Sequence, residues 1–110
     1  MMRSIYDDEY RRLLDFMLQV REALGITQTS LARRLRTTQS YVSKCERGER
    51  RIDVIEYVRY CDALGVDAAV LMDVFLDHRL GGTDDRAVII ATLLRKSRRR
   101  WRARVQSGAN

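Results

Sequence analysis

Residues 27–48 read TQTSLARRLRTTQSYVSKCERG, and this stretch settles the architecture of the chain. It holds two short helical patterns, each opened by a Thr-Gln pair, with too few residues between them for anything but a tight turn. Thr27 and Thr38 are good N-caps, because a threonine oxygen accepts an otherwise unpaired N–H of the first helical turn. Behind Thr27, Leu31, Ala32 and Leu35 fall on one helix face. Behind Thr38, Val42 and Cys45 repeat that spacing, with Glu46 beside them. The other side of the second helix carries Gln39, Ser40, Ser43, Lys44 and Arg47, a surface of hydrogen-bonding groups rather than plain charge.

Two short helices, the second presenting such a face, describe a helix-turn-helix. The rest of the chain agrees with an all-α fold. It has 110 residues, 45% of them hydrophobic, and no proline, enough for one core with room for an appended element. Helix 1 is expected from about Asp7 to Leu24, with Tyr10, Leu13, Leu14, Met17, Val20, Arg21 and Leu24 inward and Asp7, Asp8 and Glu9 at its positive end. Helix 2 follows from Gln28 to Leu35 and helix 3 from Gln39 to Arg47. Asp53 caps a fourth helix running to Leu64, with Val54, Tyr57, Val58, Cys61 and Leu64 inward. Asp67 caps a fifth, with Leu71, Met72 and Phe75 inward, ending near Leu80. Gly25, Gly48, Gly65 and Gly81 stand where left-handed residues end helices. Gly81-Gly82-Thr83 is the one flexible joint, which divides the chain into a helix-turn-helix domain, 1–80, and a C-terminal helix with a basic tail, 83–110. Thr83, helped by Asp84 and Asp85, caps the sixth helix.

Charge is unevenly placed. The net +6 divides into −1 over residues 1–26, +5 over 27–51, −5 over 52–94 and +7 over 95–110. A basic segment beside an acidic body suits a partner with a phosphate backbone. The polar, acidic start MMRSIYDDEY does not read as a secretory signal, and the longest apolar run, Ala87 to Leu94, is too short to span a bilayer. With two cysteines, the expectation is a reduced, cytoplasmic protein with no membrane partner.

Residues from about Val20 to Leu71 resemble the Cro/repressor-type, or XRE-like, helix-turn-helix family. The resemblance is carried by Arg21-Glu22-Ala23-Leu24-Gly25-Ile26-Thr27-Gln28, Leu31-Ala32-Arg33-Arg34-Leu35, Thr38-Gln39-Ser40-Tyr41-Val42-Ser43-Lys44, Glu46-Arg47-Gly48 and Ala63-Leu64-Gly65-Val66. It implies a five-helix lambda-repressor-like DNA-binding domain, here with an additional C-terminal helix, acting as a transcriptional regulator that is dimeric on double-stranded DNA. Two positions depart from the family. The turn between helices 2 and 3, usually Leu-Gly-Val, reads Leu35-Arg36-Thr37, and Cys45 replaces a larger aliphatic residue.

In the site that this implies, the start of helix 3 enters the major groove. A glutamine amide offers a donor and an acceptor, so Gln39 can pair with adenine N6 and N7; Ser40 and Lys44 lie at further base-facing positions. Gln28 matches the family's backbone anchor at a helix N-terminus, where N–H groups also attract phosphate. Thr38, Tyr41, Ser43, Arg47, Arg50 and Arg51 complete the set expected on phosphates and sugars, which sets register without reading sequence. Nothing points to an enzyme, a metal or a cofactor. Cys45 and Cys61 read as small core residues, His78 is the only histidine, and no glycine-rich phosphate loop follows a strand.

Two elements keep alternative readings. The apolar row Ala87, Ile90, Ala91 and Leu94, continued by Trp101 and Val105, is either a homodimer interface or a surface that folds back on helix 1 or 5. The tail from Arg95 to Arg104 either tracks phosphates or is a solubilising end. The leading function is a sequence-specific regulator, a repressor by expectation. The alternative is an antitoxin that neutralises a toxin protein through the sixth helix and binds its own promoter.

Overall fold

In the computed structural model, which describes residues 5–79, 81 and 85–106, the chain forms six α-helices joined by short loops. They are α1 (Ile5–Ala23), α2 (Gln28–Leu35), α3 (Gln39–Glu46), α4 (Val54–Leu64), α5 (Ala68–Arg79) and α6 (Arg86–Gln106). Among the described residues there is no strand, and no helix is long and apolar enough to cross a membrane. By packing, the chain divides into two units, Met1–Leu64 and Gly65–Asn110, so α5 belongs with α6.

The first unit is built around the helix-turn-helix. Thr27 Oγ1 accepts the Ser30 N–H at 3.0 Å, and Thr38 Oγ1 accepts the Tyr41 N–H at 3.1 Å, so both expected caps are made. Between them Arg36 lies in the left-handed region, at φ 58° and ψ 45°. Its N–H reaches Arg33 O at 3.1 Å and the Thr37 N–H reaches Ala32 O at 2.9 Å, which closes α2 and reverses the chain within a few residues. α2 packs on both α3 and α4, and α3 also packs on α1. Leu14, Met17, Val20, Leu31, Ala32, Val42, Cys45, Cys61 and Leu64 are buried, as their spacing predicts. Phe16 is buried too, which widens the inner surface of α1 beyond a single stripe.

α4 departs from its expected face. Val54 and Val58 are 75% and 38% exposed, and Tyr60 is the aromatic residue that goes inside. The first turn of α4 lies at the surface, while its last turn is fastened to α2 through Arg34 Nη1 on Ala63 O at 2.8 Å. The buried row therefore starts at Tyr60 rather than Val54. Gly48 ends α3 at φ +80°, a backbone conformation that calls for glycine, although a Cβ there would make only ordinary contact with the Arg11 guanidinium at 3.4 Å.

In the second unit α5 and α6 pack together. Asp67 caps α5: its Oδ1 accepts the N–H groups of Ala69 and Val70 at 2.9 and 3.1 Å. Thr83 and Asp84 lie outside the described residues. α6 begins behind Asp85, whose Oδ1 accepts the Ala87 N–H at 3.0 Å. The row that α6 buries is Ile89, Leu93 and Ser97. Ala87 and Ala91 are exposed, and Ile90 and Leu94 half-buried, so the inner row is turned one residue from the apolar row expected.

Candidate nucleic-acid interface

The outward face of α3 is held from beneath by a buried ion pair. Arg21 of α1 and Glu46 of α3 are each 8% exposed. Arg21 Nε and Nη2 donate to the Glu46 carboxylate at 2.5 and 3.1 Å, and Arg21 Nη1 donates to Ile26 O at 2.8 Å. The hydrogen bond to Glu46 holds the guanidinium even more firmly in its charged form than usual. A buried charge is tolerated when paired and hydrogen-bonded on all sides, and these contacts join α1, the loop before α2 and the end of α3. Both residues sit on apolar helix faces in the sequence. Opposite charges on two inner faces are the signal by which the pair can be read.

The pair extends to the surface through two amides. Gln28 Nε2 donates to Glu46 Oε1 at 2.7 Å, and Gln39 Nε2 donates to Gln28 Oε1 at 2.6 Å. Glu46 only accepts, so Gln28 must turn its NH2 inward and its oxygen toward Gln39. Gln39 must then direct one N–H at Gln28. Its second N–H and its oxygen stay available, which is the donor–acceptor pair that an adenine edge matches. Gln39, Ser40 and Lys44 are all exposed, in line with their expected base-facing positions.

A second cluster fixes the expected backbone-contacting residues. Tyr41 donates its hydroxyl to Glu56 Oε2 at 2.6 Å, and Arg50 Nη2 donates to the same oxygen at 3.0 Å. The Arg50 guanidinium lies 5.0 Å from the centre of the Tyr41 ring. Glu56 Oε1 accepts the Asp53 N–H at 3.0 Å, and Asp53 Oδ1 accepts the Glu56 N–H at 2.7 Å, a reciprocal cap on α4. The Tyr41 hydroxyl and the Asp53 N–H hold the Glu56 carboxyl down at about 2. Burial and the Glu56 hydrogen bond push the Tyr41 phenol up to about 12. Sequence reading missed Glu56, although the Asp-x-x-Glu spacing from Asp53 is a recognisable capping signal.

Arg51 stacks on Tyr10, its guanidinium 4.5 Å from the ring centre, and the Tyr10 hydroxyl accepts the Ile52 N–H at 2.9 Å. The 49–53 loop is thereby fastened to α1. Arg47 donates to Ser43 Oγ at 2.6 Å and pairs with Glu49. Arg11 donates to the carbonyls of Glu46 and Arg47 at 2.7 and 3.3 Å, satisfying the end of α3. Thr38 is exposed, while Gln28, Tyr41 and Ser43 are half-buried. Cys45 and Cys61 are both free thiols at 0% exposure, and burial pushes the Cys45 thiol up, away from the reactive thiolate. Among the described residues no cluster of His, Cys, Asp and Glu is arranged to hold a metal ion.

The geometry agrees with the comparisons to known proteins. The helix-turn-helix family model matches residues 17–71. A solved structure, an XRE-family like protein from Pseudomonas syringae pv. tomato str. DC3000, is 44% identical and superposes with a TM-score of 0.64, covering 67% of this chain and 90% of that one. No curated protein matches the sequence. With the family's motif, its helices and the fold of a 44%-identical relative all present, the chain belongs to the XRE-type helix-turn-helix family of DNA-binding regulators.

Proposed function

We propose that this protein is a sequence-specific transcriptional regulator, acting as a repressor, that places α3 in the major groove of its operator. The observation that carries this reading is the hydrogen-bonded run Arg21–Glu46–Gln28–Gln39, which supports an exposed amide from a buried ion pair. An amide oriented before binding loses less entropy when it meets a base. Gln39, Ser40 and Lys44 read base edges. Gln28, Thr38, Tyr41, Ser43, Arg47, Arg50 and Arg51 grip the backbone. Glu56 sets the positions of Arg50 and Tyr41 in that grip.

The protein acts as a homodimer on two half-sites about one helical turn apart. The proposed dimer surface is the outward row of α6, namely Ala87, Ile90, Ala91 and Leu94, which is exposed or half-buried.

Selection of bound sequences from a random duplex pool tests the reading, because it reports specificity, symmetry and spacing together. A two-fold symmetric site is expected. Gln39→Ala should then cost about 1–3 kcal/mol on that site and relax preference at one base pair, whereas Arg50→Ala should weaken all sequences alike. If Gln39→Ala leaves both affinity and preference unchanged, the proposed docking is wrong.

A further inference from the structure

The C-terminal half of α6 carries seven basic residues and no acidic one between Arg95 and Arg104, and the second unit divides them between two sides. On one side, Arg100 Nε and Arg104 Nη2 both meet Asp67 Oδ2, at 3.1 and 3.0 Å. Asp67 is 5% exposed, and its own N–H donates to Ser97 Oγ at 3.1 Å. These residues continue the row that begins with Ile89 and Leu93; the Arg100 and Arg104 side chains are about half exposed, and what sets them apart is their pairing with the buried Asp67. Lys96 Nζ pairs with Asp73 at 3.4 Å. Arg95, Arg98, Arg99 and Arg102 remain, all exposed, and among the described residues none of the four has an acidic partner. Their spacing puts them on one face away from Asp67, over about 10 Å of helix axis.

From this we infer that the outer face of α6 is a second, sequence-independent contact to DNA phosphates, made by Arg95, Arg98, Arg99 and Arg102. Charge decides the partner. A second copy of this arginine-bearing half, unlike the apolar row 87–94 ahead of it, repels it, and a polyanion neutralises it. A bilayer surface fits less well, because a helix lying in a membrane interface needs a broad apolar side. Of the large apolar residues of α6, Ile89 and Leu93 are buried and Ile90 and Leu94 half-buried, which leaves Val88, Trp101 and Val105 exposed, too scattered among the arginines to make a broad apolar side. Arg100 and Arg104 serve a different purpose: they neutralise the buried carboxylate that caps α5 and thereby hold α6 in the orientation that turns the other four outward. The inference rests on duplex DNA being the partner of the helix-turn-helix.

The test uses the full-length chain on both its selected operator and a random-sequence duplex, with affinity measured across salt concentration. Each phosphate contact contributes about 0.9 to the slope of log K against log salt. Replacing Arg95, Arg98, Arg99 and Arg102 by glutamine should flatten that slope by about 3.6 on both duplexes while leaving helicity unchanged. Replacing Arg100 and Arg104 removes as much charge as replacing Arg95 and Arg99. It should leave the slope nearly intact and lower the unfolding midpoint. An unchanged slope in the four-residue variant overturns the proposal, and so does equal flattening by the two pair variants.

The single tryptophan, Trp101, lines a shallow groove with Arg98, Arg102, Val105 and Gln106, so its emission should change when random duplex is added. A response to anionic vesicles with none to DNA would overturn the proposal in favour of a membrane surface. The Gln39→Ala variant separates this contact from the α3 docking. If it keeps wild-type sequence preference while the arginine variants still flatten the slope, the α3 docking fails and this contact stands. If preference is lost and the slopes are unchanged, the α3 docking stands and this contact fails.

Discussion

Arg36 holds a backbone conformation that suits glycine, and the turn of the helix-turn-helix depends on it. An L-residue in the left-handed region costs roughly 1–2 kcal/mol through contact between Cβ and carbonyl oxygen. The chain bears this cost because the Arg36 and Thr37 N–H groups must satisfy the last carbonyls of α2. Arg36→Gly should therefore raise the thermal midpoint by about 4–8 °C for each kcal/mol recovered; an unchanged or lower midpoint would contradict the strain. Glu46 shows the opposite case. Glu46→Ala leaves Arg21 buried and unpaired, which should destabilise the protein by about 3–5 kcal/mol, measured by denaturant unfolding. It also removes the acceptor that orients Gln28, so the surviving folded fraction should show weaker preference at the Gln39 base pair.

At the scale of elements, Glu56 connects α3, the loop after it and the start of α4. Its carboxyl titrates at about 2 against an ordinary 4.5, so the unfolded state takes up the proton first. This contribution is complete above about pH 4.5 and is lost as the pH falls toward 2. Tyr41 behaves as the mirror image. Its phenol is raised from 10.0 to about 12, so its contribution is complete below pH 10 and disappears as the pH climbs to about 12. Unfolding midpoints measured against pH should show a shallower acid limb for Glu56→Gln and a shallower alkaline limb for Tyr41→Phe; curves parallel to wild type would contradict the cluster. In the second unit, Asp67 both caps α5 and receives Arg100 and Arg104. Asp67→Asn keeps a good cap, whereas Asp67→Ala loses it at a further cost of about 0.5–2 kcal/mol. Hydrogen exchange along α6 should quicken in both variants, and more in the alanine one.

Across the whole molecule, positive charge is concentrated in residues 27–51 and 95–110, and the stretch between them is acidic. That distribution favours approach to a polyanion through the two basic regions and disfavours it elsewhere. Self-association belongs to the same scale. If the outward row of α6 makes the dimer, Leu94→Glu should shift sedimentation from dimer to monomer without loss of helicity, and operator affinity should fall because half-sites are then bound singly. A variant that remains dimeric places the interface elsewhere.

Much of this is legible in the sequence because it depends on local chemistry. Thr27, Thr38, Asp53 and Asp67 cap helices through neighbours three residues away, and Leu31, Val42 and Cys61 follow the helical period, so the elements and most of the core can be read from spacing. The exposed row Gln39, Ser40 and Lys44 is legible for the same reason. What spacing does not contain is which side of a helix meets a neighbour. Val54 has the spacing of a core residue and is exposed, while Tyr60 is buried, because the first turn of α4 lies at the surface and its last turn is fastened to α2 at Ala63. The arginine-rich end of α6 is uniform in sequence, and it is Asp67, about thirty residues earlier, that pairs with two of its arginines. Six helices, a helix-turn-helix and its polar face follow from the order of residues alone, since each is set by contacts within a turn or two. Which charges face one another across distant segments depends on how the helices pack, and that packing selects the amides and arginines that are held in place and those that stay open to a partner.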